Sequence, residues 1–404
     1  MSPARGRVLA GAACALVASV VIASVAAWPR GSAVAPADGR HLTNGTAWPF
    51  ALLLASAFVA YLSSLLLLRL GGARLVVVGA VAIAVQLAPL GAPLLLSTDA
   101  WTYWGYGRIA VAGENPYLDP PAESQLGPAA PYVGVDWLDA TSVYGPAFTL
   151  AAEPLARVAG SSAAAAAWVY KGLAGAAAVA AAILAARLAR RRAFALAVVG
   201  WNPVLAVHLA GGGHNDAWVG ALLLGALALS ASGRGRWSGA LWALAILVKW
   251  VPALFLALRW LVPGKRVRPR LAGLVVAGMA VLGVATWRYG LAWARALEPL
   301  AENAAQETSY ALPARLEQLG LSESAALALA LAVLVGGLVW LVREARAARP
   351  RLGRAACLVL CTTPYLAVWY LAWAVPLAAA DDDDVALVGV LGLSAYLLPQ
   401  TIPL

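Results

Sequence analysis

The residues of this chain that could do acid–base or anion chemistry are few and unusually placed. In "STDAWTYWGYGRIAVAGENPY" (97–117), Asp99 is the first acid after Asp38. It stands at the end of a long apolar run, with Trp101, Tyr103, Trp104 and Tyr106 close behind. Arginine supplies nearly all of the positive charge. Of the 29 Lys and Arg only Lys171, Lys249 and Lys265 are lysines, and two of these interrupt apolar runs, in "AWVYKGLAG" and "AILVKWVPAL". His208 and His214 fall in another such run, His214 beside Asn215 and Asp216 in "GGGHND". A carboxylate at a wet–apolar boundary can act as a general base. An ammonium is a compact point charge suited to phosphate. The inventory therefore fits removal of a proton next to a bound phosphate.

Each residue also has a plainer reading. Lys171 and Lys249 could snorkel along their stems to an interface. Asp99 could cap the segment that follows it, since "STD" is good N-cap chemistry. His214, Asn215 and Asp216 could form a polar turn, and the aromatic cluster could belong to an interfacial belt. Against all of these stands their convergence, because five separate elements would have to be polar in one layer by coincidence. Charged residues inside membrane spans are costly and carry function by default.

The elements that must position these groups are membrane helices. The chain is 62% hydrophobic and 12% charged, with mean hydropathy +0.78, against about 25% charged residues in soluble domains. Apolar runs near the length needed to cross about 30 Å of hydrocarbon recur throughout. The expected fold is an all-α polytopic membrane protein, with about 13 transmembrane or partly inserted helices and large extracytoplasmic loops. The net charge of +10 reads as positive-inside loops rather than a nucleic-acid surface. Cys14, Cys357 and Cys361 all lie in apolar runs and suggest neither a disulfide nor a metal cluster. The run from Val8 to Trp28, after Arg5 and Arg7, reads as a retained signal-anchor helix.

Basic loops at Arg5/Arg7, Arg69/Arg74, Arg187–Arg192, Arg234/Arg236, Arg259–Arg270 and Arg343–Arg354 fix the orientation when placed in the cytoplasm. Spans at 8–28, 48–68 and 75–96 then bring Asp99 to the outer face. Residues 97–160 form a first outside loop, whose tail "VYGPAFTLAAEPLARVAG" reads as a helix along the interface. After a span at 163–186, three stretches run from one basic loop out and back. Their apexes are "GGGHND", Lys249-Trp250-Val251-Pro252 and Trp369-Tyr370. The limbs of the second are only about 18 Å long at 1.5 Å per residue, so its apex lies within the outer half of the membrane. Residues 271–290 and 325–342 are ordinary spans around a second outside loop, 291–324, and 385–403 is a last span. The acidic run "DDDD" at 381–384 then falls in the cytoplasm.

The segments "TDAWTYWGYGRIAVAGENPY", "YGPAFTLAAEPLARVAG", "WNPVLAVHLAGGGHNDAWVGALLLGALAL", "ALAILVKWVPALF" and "PYLAVWYLAWAVP" occur in that order. Together they resemble the GT-C superfamily of integral-membrane glycosyltransferases, and within it the actinobacterial polyprenol-phosphate-mannose-dependent α-mannosyltransferases. The resemblance covers roughly residues 75–400, so 75–404 reads as the catalytic domain and 1–74 as two N-terminal helices. It implies a bacterial plasma-membrane enzyme with its active site on the extracytoplasmic side. A hexose, mannose first of all, would pass from a polyprenyl monophosphate to a glycan or glycolipid, with inversion. Asp99 maps to the catalytic base. Lys249, with Lys171 and His214, would hold the donor phosphate. Trp101, Tyr103, Arg108, Tyr144, Asn215, Asp216, Trp369 and Tyr370 would contact substrate. On this reading the lipid phosphate is the anion that keeps Lys249 charged. Many relatives carry two adjacent acids in the first loop, whereas Asp99 is followed by Ala100, so no cofactor is indicated and a bound divalent metal is left open. The rival reading is a transporter or lipid flippase. Such proteins place charges at the midplane between inverted repeats, and no such repeat is evident.

Overall fold

The computed structural model describes residues 3–29, 32–37, 45–71, 73–264, 269–297 and 307–404. Among these the chain is all-helical, with 17 α-helices and no strand. In order they are α1 (Pro3–Ala26), α2 (Ala47–Gly71), α3 (Leu75–Leu87), α4 (Asp99–Val111), α5 (Pro146–Ala159), α6 (Ala163–Leu188), α7 (Arg192–Gly200), α8 (Pro203–Ala206) and α9 (Asp216–Ala231). There follow α10 (Gly235–Val248), α11 (Pro252–Leu261), α12 (Leu271–Tyr289), α13 (Leu312–Gln318), α14 (Glu323–Arg346), α15 (Leu352–Thr362), α16 (Leu371–Ala380) and α17 (Asp384–Tyr396). Five are long and apolar enough to cross a membrane: α1, α2, α6, α14, and α12 with its 3₁₀ extension to Ala296. A sixth arises if α7 and Pro203–Gly211, bent by 48°, count as one span. Seven more apolar helices have 10–17 residues. The protein is thus a helical membrane protein in which many insertions are shorter than a crossing.

The centre is built around α6. Its buried face, Ala166, Tyr170, Ala174, Ala178, Ala182 and Ala185, recurs at three- and four-residue intervals and forms one stripe. Methyl side chains along this stripe let α7, α9 and α16 come close, which is how helices associate where lipid removes the hydrophobic driving force. Toward the outside the pattern reverses. Only Ala285 and Tyr289 of α12 are buried, while Val276, Met279 and Trp287 are exposed. Such a face suits hydrocarbon.

The expected third span, 75–96, is broken. α3 stops at Leu87, a 3₁₀ turn covers Ala88–Gly91, and the chain then bends through irregular backbone to Thr98, with Leu96 at φ +58°. Pro89 and Pro93 explain the break, since neither can donate to a continuing helix. The freed backbone pairs elsewhere: Leu95 N–H donates to Gly211 O at 3.1 Å. The three stretches expected to run out and back are occupied by α7–α9, α10–α11 and α15–α16, each interrupted at or near its expected apex. In the third, the turn is residues 363–367, and Trp369-Tyr370 open the returning limb. The interfacial stretch is α5, with Pro146 at its first position as helix starts favour. Of the loop expected on the outside at 291–324, residues 298–306 lie outside the described residues, and so do Lys265, Glu298 and Glu302.

The acidic run sits at the same end of the bundle as the basic loops. Asp384 pairs with Arg69 at 2.9 Å and with Arg191 at 3.3 Å, and Asp382 lies 3.8 Å from Arg190. Asp383 is held by Arg351 at 3.0 Å and Arg354 at 2.7 Å. The loops after α2, α6 and α14 are therefore laced to one acidic turn. Asp381 differs from its neighbours: among the described residues it accepts only the Gly353 N–H at 2.7 Å, and burial pushes its carboxyl up to about 6. A raised carboxyl pKa means that the folded protein binds this proton where the unfolded chain has lost it. Stability is then lost as pH rises from about 4 to about 6, and the loss is constant above that. Asp381→Asn should therefore match the parent near pH 4, gain melting temperature relative to it up to pH 6, and hold a steady advantage above. Paired thermal-unfolding curves from pH 4 to 8 check this, and parallel curves would show that Asp381 is not buried as described.

Candidate active site

Asp99 is the first residue of α4, and its own N–H is taken by Ser97 Oγ at 3.0 Å. Its side chain does not cap the helix. Instead Oδ2 accepts the Tyr103 hydroxyl, one turn on, at 3.1 Å, and His214 Nδ1 at 3.1 Å. Tyr103 is itself held by edge-on contacts with Tyr144, Phe148 and Tyr170, at centroid distances of 5.2, 4.9 and 5.3 Å. The carboxylate is thus buried in an aromatic cage and satisfied by two donors, as an ionised group away from water requires.

Lys249 is placed by the interruption between α10 and α11. Its backbone is extended, with φ −153°, and α11 restarts only at Pro252. The side chain leaves the helical track and puts Nζ 2.6 Å from Asp216 Oδ2, and 5.0 Å from the centre of the Tyr370 ring. Asp216 opens α9. Gly145 fixes the segment before α5 against this limb. Its N–H donates to Val248 O at 3.1 Å, and a Cβ at this position would lie 2.2 Å from Leu247 O. Only glycine permits so close a backbone approach.

Asp99 and Lys249 face one cavity of about 410 Å³. Its walls are Trp137, Tyr144, Trp250, Tyr365, Trp369, Tyr370 and Trp373, with Val251, Leu254, Val359 and Thr363 toward the α11–α15 side. A proton acceptor and a cation thus share an aromatic chamber of the size that ligand sites occupy. Aromatic faces can stack on the C–H faces of a ring or line a path for a hydrocarbon chain.

Of the residues singled out in the sequence, Asp99, Tyr144, Lys249, Trp369 and Tyr370 line this cavity. Tyr103, His214 and Asp216 lie directly behind Asp99 or Lys249. Asn215 is buried in the same turn, its backbone N–H 3.5 Å from the Tyr103 hydroxyl. Lys171 is elsewhere. Its ammonium is wrapped by the carbonyls of Leu90, Ala92 and Pro93, so it satisfies the broken turn after α3. Trp101 donates to Ala163 O at 2.9 Å and packs on Tyr132. Arg108 lies toward the far end of α4, beside Gly127. His208, in the one-turn π-helix Val207–Gly211, is fully buried with neither ring nitrogen bonded among the described residues. Sequence reasoning missed Trp137, Trp250, Tyr365 and Trp373 as walls. For Trp250, Tyr365 and Trp373 the available signal was their position at or beside the apexes of the short stretches; Trp137 lies in the 97–160 segment after Asp99 and carried no such signal.

Lys249 has a counter-ion within the protein. The sequence points to a lipid phosphate as the anion that keeps Lys249 charged; the structure adds Asp216, 1% exposed at the side chain against 21% for Lys249, as a counter-ion within the chain.

The family model described as alpha-(1→6)-mannopyranosyltransferase, N-terminal domain, of the MptA/B family matches residues 6–265. Comparison with curated proteins and with solved structures gave no match.

The ion pair changes what a lysine substitution does. Removing one partner of a buried pair costs up to about 3–5 kcal/mol, because the other charge is stranded. Lys249→Met should therefore lower thermal stability clearly, whereas Lys249→Met with Asp216→Asn should recover most of it. Melting curves of both proteins in nanodiscs check this, and a Lys249→Met protein as stable as the parent would count against a closed pair.

Proposed function

The chain belongs to the alpha-(1→6)-mannopyranosyltransferase family, and we propose that it transfers mannose from a polyprenyl monophosphate to an extracytoplasmic glycan or glycolipid with inversion at the anomeric carbon. The observation that carries this reading is the cavity that one carboxylate, one ammonium and a set of aromatic side chains line together. Asp99 takes the proton of the acceptor hydroxyl. The acceptor oxygen attacks the anomeric carbon from the face opposite the phosphate, and the carbon–oxygen bond to the phosphate breaks with its electron pair on the leaving oxygen. Lys249 stabilises that developing charge, as fixed cations do in other transfers. Trp369 and Tyr370 offer faces for a sugar ring, and the apolar α11–α15 side of the cavity accommodates the first prenyl units. The acidic turn supports the orientation: it adds an interlocked set of ion pairs to the arginine-rich end, and that end is cytoplasmic by the positive-inside rule.

Asp99→Asn keeps size and can still accept from Tyr103 and His214, but it cannot take up a proton at neutral pH. Transfer from polyprenyl-phosphate mannose should fall by a factor on the order of 10² to 10⁴, with donor binding retained. Near-parental turnover in the folded variant rules out the base. Sidedness has its own test in a background lacking the native cysteines. Glu123→Cys, exposed in the first loop, should react with an impermeant maleimide on intact cells. Arg236→Cys should react only after lysis, and the reverse pattern overturns the orientation.

A further inference from the structure

His214 is one of the residues expected from the sequence to hold the donor phosphate, yet its ring is fully buried and does not line the cavity. It lies behind Asp99, with Nδ1 3.1 Å from Oδ2. Its ring is stacked flat on Trp369, with centroids 4.2 Å apart and planes 13° from parallel. We propose that His214 is the positioning residue of Asp99: through Nδ1–H it fixes the carboxylate so that Oδ1 is the atom presented to the acceptor hydroxyl. This rests on the reading of Asp99 as the base.

Three observations carry it. First, the two donors to Asp99, Tyr103 and His214, both fall on Oδ2, and no side chain among the described residues donates to Oδ1. A carboxylate accepts on either oxygen, so two donors on one oxygen set its rotation and leave the other free for a proton. The ionised carboxylate can only accept, which places the imidazole proton on Nδ1. Second, imidazole is a poor choice as mere filling. Nε2 is buried with no partner among the described residues, and leaving a buried polar atom unpaired is costly. Phenylalanine would stack on Trp369 without that cost. Third, the backbone is shaped to deliver the ring. Gly213 has φ +74°, and a Cβ there would meet the Ala100 Cβ at 3.1 Å. A left-handed residue without a side chain lets the turn close against the first turn of α4. The stack then carries the constraint onward, because Trp369 is itself a wall of the cavity. One ring sets both the rotation of the base and the plane of the aromatic face beside it.

The roles of ring and hydrogen bond separate by substitution. His214→Phe keeps the stack and removes the donor. His214→Asn places an amide N–H near Nδ1 and removes the stack. Steady-state transfer is measured with a short-chain prenyl-phosphate mannose and an alkyl α-mannoside in nanodiscs, in the parent and in the Asp99→Asn background. In the parent background His214→Phe should lower kcat by roughly 10- to 100-fold with KM for both substrates within about two-fold, and His214→Asn should return kcat to within several-fold of the parent. In the Asp99→Asn background neither change should cost more than about two-fold, since a residue that acts through another is non-additive with it. Parental kcat in His214→Phe, an Asn variant no better than Phe, or an undiminished loss in the Asp99→Asn background would each overturn the proposal. Should the Phe protein not fold, the Asn protein decides alone: kcat within several-fold of the parent supports it, and a loss beyond about ten-fold overturns it. A fully active Asp99→Asn protein removes the base itself, whereas an inactive one beside an unaffected His214→Phe removes only this role.

Discussion

Two opposite charges held inside an apolar helical assembly must each find a partner there, and one short turn supplies both. The segment from Gly211 to Asp216 brings His214 to Asp99 and Asp216 to Lys249. Isolated ionised groups in a low-dielectric interior would neutralise or be expelled. The position of α4, the extended backbone at Lys249 and the aromatic walls all follow from where this turn sits. It can sit there because α6, lined with alanine, lets the flanking α7 and α9 approach closely. The turn is also where the chain is least regular: α8 passes into a π-helix and then into glycines. Departures of this kind inside helical spans gather at functional sites.

The broken and shortened helices serve the same end. A helix that crosses in one piece offers only side chains to its surroundings, whereas a break frees backbone groups and redirects side chains. Backbone outside helices at membrane depth is tolerated only where protein or a cavity satisfies it. Here the break after α3 leaves carbonyls that the Lys171 ammonium collects, and a second break lets Lys249 turn toward Asp216. Of the two lysines buried in apolar runs, one therefore maintains the irregular backbone and the other faces the cavity.

This division explains what the sequence could and could not disclose. Helical class, the helix breaks at Lys249 and before Trp369, and the gathering of Asp99, Lys249 and "GGGHND" in one place followed from run lengths and from the cost of charge in hydrocarbon. The partners did not follow. Lys171 and Lys249 look alike in sequence, each an isolated lysine in an apolar run, and only the third dimension shows three carbonyls around one and a carboxylate beside the other. Asp216 reads in the sequence as a substrate contact, or as part of a polar turn, because its partner lies 33 positions away on another element. The third span read as continuous because its apolar run ignores Pro89 and Pro93. Trp101 and Arg108 sit in the same segment as Asp99, but helical rotation carries them away from the cavity.

The Lys249–Asp216 pair also bears on how a bound phosphate would be treated in the proposed reaction. An unpaired ammonium would hold a monoanionic donor tightly before any bond had broken. Such uniform binding lowers KM without lowering the barrier. With Asp216 already at 2.6 Å, part of the attraction for the donor is spent against an existing pair. The ammonium is nonetheless held in place, so little orientation remains to be acquired at the moment of reaction. As the leaving phosphate gains a second charge, its pull on Lys249 rises while that of Asp216 does not. The contact then strengthens most in the transition state, where a fixed cation contributes to rate rather than to substrate retention.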